Sequence, residues 1–233
     1  MPYYRYYFDP TYILVIIGAV LSILASAKVQ STFNRYKKVR SATGMTGAQA
    51  AQRLLNNAGI MDVSIEHVAG NLTDHYDPSS KTLRLSDATY GSNSVAAVGV
   101  AAHECGHAIQ HFKGYAPLQL RSALVPAANL GSRIGIPICI LGAILSMNQT
   151  LITIGLWVFA LAVLFQIVTL PVEINASRRA VALLDQTGIL VGDEISGVRK
   201  VLSAAALTYV AAAAASILQL LRLVLLFGGR DRD

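Results

Sequence analysis

The sequence predicts an α+β protein that is mostly helical and integral to a membrane, with about four transmembrane helices and a small soluble-looking region built from one site-bearing helix and a short β-sheet. Three observations carry this expectation. The chain is 54% hydrophobic and only 14% charged, against roughly 25% charge in ordinary soluble domains, and its mean hydropathy is +0.49. Four apolar stretches can span a bilayer: Tyr12 to Ala27, Ile134 to Met147 with the apolar residues before it, Leu151 to Val172, and Val201 to Leu221. Between the first two, from Ser41 to about Gln119, the pattern turns polar and its periods become short.

The third stretch, 22 residues without a charge, meets the length a bilayer demands, whereas the first and second need flanking residues to reach about 20. For the first there is a rival reading as a removable signal peptide, because Ala25-Ser26-Ala27 resembles a small-residue cleavage site. The segment before its core holds Arg5 and Asp9, a net charge of zero. After it come Lys28, Arg35, Lys37, Lys38 and Arg40, the densest basic cluster in the chain. Such clusters stay on the cytoplasmic side, so a retained helix with an outside N-terminus is expected, its basic arm near anionic headgroups. The net charge of +6 therefore calls for the lipid bilayer as partner. It calls for no nucleic acid, since the aromatics of a stacking platform are not interleaved with the basic residues.

In the polar region, Thr46 is placed to cap a helix with apolar positions Ala50, Ala51, Leu54 and Leu55, closed by Asn57-Ala58-Gly59. Val63-Ser64-Ile65 and Thr82-Leu83-Arg84-Leu85-Ser86 alternate like strands, with the turn signal Asp77-Pro78-Ser79-Ser80 between them. A helix then starts after Gly91-Ser92-Asn93-Ser94 and ends at Lys113-Gly114; its stretch Val95 to Ala102 is apolar all round and is expected to be buried.

That helix carries His103-Glu104-Cys105-Gly106-His107, an H-E-x-x-H motif. Residues four apart share a helix face, so both imidazoles can reach one metal ion while Glu104 lies beside it as a base. With so few His and Glu in the chain, a chance match is expected about 0.002 times. The bland alternative is two core histidines beside a surface glutamate, which leaves several buried hydrogen bonds to find. His111 continues the face, but eight residues rise about 12 Å, too far to share an ion with His103; it is expected to face substrate or to be polar surface. Cys105 lies about 200° from His103 and points away, and no disulfide with Cys139 is expected.

A third ligand must come from elsewhere, and Glu173 is the candidate. It follows the third apolar stretch, where a carboxylate is costly without a partner. Two crossings separate His107 from Glu173, joined at Asn148-Gln149-Thr150, so both fall on the same side, and Arg121, Arg178 and Arg179 mark that side as cytoplasmic. The alternative is an interfacial ion pair of Glu173 with Arg178 or Arg179. Should Glu173 fail, His67, His75, Asp74 and Asp77 remain as donors. His75 and Tyr76 either enter the cleft or form a polar turn. Tyr209 either stabilises an oxyanion or anchors its helix at the interface. Arg133 is expected to snorkel.

These residues divide the chain into an N-terminal transmembrane helix (1–28), a region with the H-E-x-x-H helix (29–120), a transmembrane hairpin (121–172), a third-ligand helix (173–200) and a C-terminal transmembrane helix (201–233), within one membrane-integrated domain.

The runs Leu72-Thr73-Asp74-His75-Tyr76-Asp77-Pro78, His103 to His111, Arg121-Ser122-Ala123-Leu124-Val125-Pro126, Glu173 to Ala180 and Ala204 to Val210 together resemble the YugP-type family of bacterial membrane zinc metallopeptidases. The resemblance covers nearly the whole chain. It implies a zincin-like core with His103, His107 and Glu173 as zinc ligands and Glu104 as catalytic base. Broader relatives of the HtpX and CAAX-processing type carry E-x-x-x-D after the last membrane hairpin; here Ser177 stands in place of the Asp, so a hydroxyl replaces a negative charge beside the ligands.

The expected activity is zinc-dependent endopeptidase hydrolysis at the cytoplasmic face of a multi-pass membrane protein, acting on peptide or protein substrates, membrane-associated ones included. Tyr209, Ser177, His75 and His111 are candidates for supporting roles. If Thr82 to Ser86 has a free edge, an extended substrate can add to it. The contrasting expectation is a membrane scaffold or chaperone with structural zinc, but such sites usually have four protein ligands and three are found here. A zinc transporter needs an intramembrane relay that the apolar stretches lack.

Overall fold

The computed structural model describes residues 9–227; Arg5 lies outside them. In chain order the elements are α1 (Tyr12–Tyr36), α2 (Gly47–Asn57), β1 (Ser64–Val68), β2 (His75–Asp77), β3 (Thr82–Ser86), α3 (Val95–Phe112), α4 (Ala116–Ile144), α5 (Gln149–Gln186) and α6 (Asp193–Phe227). The expected class holds: the protein is α+β and mainly helical, and α1, α4, α5 and α6 are long and apolar enough to cross a membrane.

α1, α5 and α6 outrun the apolar stretches that announced them, whereas α4 starts far earlier than expected but ends at Ile144, short of Met147. α1 continues through Lys28 and Arg35 to Tyr36, and α4 recruits the residues from Ala116 onward. α5 has 38 residues, roughly 57 Å at helical rise, against a hydrocarbon layer of about 30 Å. Much of α5 must therefore leave the hydrocarbon, and Glu173 rides on it. The turn between α4 and α5 lies earlier than Asn148-Gln149-Thr150 suggested. Ser146 and Met147 take left-handed conformations, Asn148 accepts from the Leu151 N–H through Oδ1 at 3.1 Å, and Gln149 and Thr150 are already helical. Asn148 acts as a cap, which is what its short amide favours.

The chain falls into two compact units. One, here the helical unit, comprises Met1–Leu24, Leu124–Ile167 and Val210–Asp233; the other, the mixed unit, comprises Ala25–Ala123 and Val168–Tyr209.

In the helical unit, large apolar side chains face outward: Ile144 is 75% exposed and Trp157 73%, as expected where the solvent is lipid. α4 and α5 instead meet through small residues. A Cβ on Gly135 would come within 2.9 Å of the Phe159 Cα, and one on Gly155 within 2.8 Å of the Gly135 carbonyl, so only glycine permits this backbone approach. Asp9 and Arg222 form an ion pair at 3.1 Å, with the Arg222 guanidinium 4.1 Å from the centre of the Tyr12 ring.

In the mixed unit, local chemistry sets the element ends. Thr46 closes a capping box with Gln49 at the start of α2, and Ser94 accepts from the Ala97 N–H at the start of α3. The sheet has the order β1-β3-β2, with β1 parallel to β3 and β2 antiparallel to it. Two expectations change here. β3 is the central strand, paired on both sides, so it offers no free edge. His75-Tyr76-Asp77, read as a polar turn or cleft residues, forms strand β2, because the β3 backbone supplies a partner for a segment with little strand character of its own. Leu83 and Leu85 of β3 are fully buried with Leu54 and Leu55 of α2, Val98 and Ala102 of α3, Leu184 of α5 and Val198 of α6. This core fixes α3 against its neighbours.

Candidate metal centre

α3 carries the motif because its apolar half, Val95 to Ala102, is anchored in that core, with all of those residues but Val100 buried. Where it turns polar it crosses α5. A Cβ on Gly106 would stand 2.6 Å from the Ala176 carbonyl and 3.1 Å from its Cα, so the two backbones nearly touch at the middle of the motif. Glu173 and Ser177 lie one turn apart on α5, alongside buried Ala176 and Ala180. The close crossing delivers both to the histidines.

Glu173 Oε2 is 3.2 Å from His103 Nε2 and 3.5 Å from His107 Nε2, and the three side chains each offer one candidate donor atom within 4.8 Å of the others. Donors at about 2.0–2.1 Å from a tetrahedral zinc stand roughly 3.3 Å apart, so the two measured separations are those of a tetrahedron's edges. The Nδ1 atoms face away from this point. Gln110 gives its Nε2 to the Val172 carbonyl at 2.8 Å and to Asn175 Oδ1 at 3.0 Å, which leaves Oε1 to face His107 Nδ1 at 3.0 Å. His107 Nδ1 must then carry the hydrogen, and its Nε2 presents a lone pair. His103 Nδ1 meets Ser177 Oγ at 3.1 Å. The residues present therefore fit a zinc ion: two oriented neutral imidazoles and one buried carboxylate.

The electrostatics agree. Burial works to lower the His107 imidazole, but the hydrogen bond to Glu173 and the charges of Glu104 and Glu173 outweigh it, and the group sits above its ordinary value. The carboxylates around His107 therefore favour positive charge at the point the three side chains surround. Arg121 Nη1 stands 3.5 Å from Glu173 Oε1, turning that oxygen away from the imidazoles' side. Glu104 is 7% exposed, and the Tyr209 phenol is set among Glu173, Glu104 and Arg121.

Other candidates fall elsewhere. Arg179 bonds Asn175 at 2.7 Å, so Glu173 is paired with the histidines and Arg121 and not with Arg178 or Arg179. His75 is exposed and its Nδ1 bonds the Thr73 carbonyl at 2.9 Å. His111 meets the Tyr76 hydroxyl at 2.9 Å beside a cavity of about 390 Å³ lined by Gln110, Tyr115 and Leu118. His67 pairs with Asp87 at 2.6 Å. Asp74 accepts from the Ser86 N–H and hydroxyl. The Ser80 hydroxyl and then the Ser79 N–H hold the Asp77 carboxyl down to about 2. These acids shape turns. The Cys105 thiol turns to the Ala51 carbonyl, and burial pushes it up. Gln110 and Arg121 are the site residues the sequence reading passed over. The only signal for Gln110 was a polar residue one turn after His107, on a helix that had to be buried.

The profile of the family described as "Putative neutral zinc metallopeptidase" matches residues 11–228. The chain belongs to this zinc metallopeptidase family. It is also 47% identical over 221 residues, 94% of this chain and 98% of the relative, to the "Putative membrane protease YugP" of Bacillus subtilis (strain 168). No solved structure matches the chain. Family membership and the four apolar helices make this a multi-pass membrane protein of a zinc peptidase family, as its resemblance implied.

Proposed function

We propose that the protein is a zinc-dependent membrane endopeptidase in which His103, His107 and Glu173 hold the metal and Glu104 is the general base. The observation that carries this is the approach of two imidazole Nε2 atoms to one oxygen of Glu173, at 3.2 and 3.5 Å, with both Nδ1 atoms tied back. A zinc ion held there would supply Lewis acidity and activate a water for attack. Ser177 and Gln110 hold the imidazole planes and keep the protons on Nδ1. Arg121 holds the far oxygen of Glu173, so the carboxylate offers one oxygen to the ion. Glu104 takes the proton of the attacking water and later returns it to the leaving amine. Tyr209, hydrogen-bonded to Glu173 among the same carboxylates, is the candidate donor to the developing oxyanion. Of the two edge strands, β2 is joined to the active helix by the Tyr76–His111 bond and pairs along one side with β3, so its outer edge suits an extended substrate.

The deciding experiment is Glu104→Gln in detergent-purified protein with an unfolded protein as substrate. Zinc content and fold are expected to stay, with cleavage falling by about 10²–10⁴-fold; cleavage near the wild-type rate assigns the base elsewhere. We place the site on the cytoplasmic side because the basic residues after Ala27 and around Arg178 favour it. Cysteines introduced at Ser79 and Gly188 are then shielded from an impermeant reagent in intact cells and one at Gln149 reacts, whereas labelling of Ser79 from outside reverses the orientation.

A further inference from the structure

A second cavity, of about 690 Å³, lies within the mixed unit away from the metal cluster, between the end of α1 and the loops that flank the sheet. One wall is the last turns of α1 and the residues after it, with Gln30, Asn34, Lys37 and Lys38; the other carries Asn71 and Leu72. Spacings of three and four place Gln30, Asn34 and Lys37 on one helix face, so two amides and an ammonium point the same way. Among the described residues neither Lys37 nor Lys38 has a carboxylate within ion-pair distance. The cavity's own carboxylate, Asp87, is engaged by His67 Nε2 at 2.6 Å and the Gly70 N–H at 2.8 Å. The lining is thus rich in donors and cations, with its one acid already satisfied.

Residue count along α1 gives the depth. A hydrocarbon layer of about 30 Å takes up roughly 20 residues, so from Tyr12 it ends near Ser31, with Lys28 close enough to the edge to snorkel to the headgroups. The headgroup layer, about 5–7 Å thick, then takes in Thr32 to about Tyr36, so Lys37 and Lys38 stand at its outer edge, their long side chains able to reach back to a headgroup phosphate. Leu72, one of the lining residues, has φ 57 and is 39% exposed; a side chain with a Cβ adopts that conformation at a cost, and here it keeps an apolar residue beside a polar hollow.

We propose that this cavity binds the phosphate of an anionic phospholipid headgroup, with Lys37 and Lys38 as counter-charges, the amides of Gln30, Asn34 and Asn71 as donors, and Leu72 against the first acyl carbons. The site is independent of the metal centre. Basic residues just beyond a membrane helix attract anionic lipid by charge alone; a hollow lined with amides adds a defined seat for one headgroup.

The test uses the full chain in a neutral detergent, read by its unfolding temperature as short-chain (dihexanoyl) phosphatidylglycerol, the corresponding phosphatidylcholine or sodium phosphate is added. Phosphatidylglycerol is expected to stabilise the protein saturably and the other two are not. The pair Lys37→Gln/Lys38→Gln is expected to weaken this binding by about tenfold or more, while Lys28→Gln/Arg35→Gln, the same charge loss outside the cavity, weakens it clearly less. Asn34→Asp, which sets a negative charge in the wall, is expected to weaken it as well and serves if the lysine pair does not fold. Equal losses in the two charge pairs, or no loss in Asn34→Asp, reduce the effect to bulk attraction and overturn the proposal. Saturation by phosphatidylcholine or by phosphate at the same concentrations overturns the choice of ligand.

Discussion

The two units of the molecule bury apolar surface for different reasons. In the mixed unit Leu54, Leu55, Leu83, Leu85, Leu184 and Val198 are wholly enclosed, as water demands, since each such side chain stabilises the fold by about 1.5–3 kcal/mol. In the helical unit a small cluster of Phe159, Val163 and Leu223 is enclosed, while Ile16, Leu130, Trp157 and Leu164 face out. Lipid offers no such gain, so cohesion there rests on backbone approach at Gly135 and Gly155 and on the Asp9–Arg222 pair. The difference separates two tasks: a water-driven core can hold donor atoms to within tenths of an ångström, and the metal cluster is built on its side of the chain.

The sharpest way to break this comparison is at the ligands. Glu173→Ala is expected to lower zinc from about one ion per chain to almost none by elemental analysis, whereas Asp9→Ala in the helical unit leaves it unchanged; full zinc in Glu173→Ala removes the carboxylate from the centre. Next in size is the core. Leu85→Ala is expected to cost about 2–5 kcal/mol in unfolding measurements in detergent, against less than about 0.5 kcal/mol for Trp157→Ala, and equal losses would mean that both units are held alike. The smallest effect concerns orientation within the site. Gln110→Ala leaves all three proposed ligands in place but frees His107 Nδ1, and chelator competition is expected to show zinc bound about 10–100-fold more weakly; unchanged affinity makes Gln110 a packing residue.

Features made by neighbours in sequence were legible before the structure. The capping box at Thr46, the cap at Ser94 and the alternation of Thr82 to Ser86 each depend on residues within a few positions, and so does the spacing of His103 and His107. Features made by distant partners were not. β2 is three residues long and gains its strand form from β3, so its own side chains gave no sign. Gln110 is buried with its amide on the Val172 carbonyl, 62 residues away, and nothing near it in sequence announces that acceptor. Glu173 lay between these cases: counting membrane crossings singled it out, but only the Gly106–Ala176 approach explains why its carboxylate stands at imidazole distance.

The Asp9–Arg222 pair also imposes an order on biogenesis. Its partners are 213 residues apart, so at about 5–20 residues per second the N-terminal carboxylate waits roughly 10–40 s for its guanidinium to be synthesised. Gly18, whose added Cβ would stand 3.1 Å from the Ala215 Cα, waits as long for its neighbour. α1 therefore finds this part of its packing surface only once α6 has been made, and truncation before Ala215 leaves the Asp9 carboxylate and Gly18 without these partners.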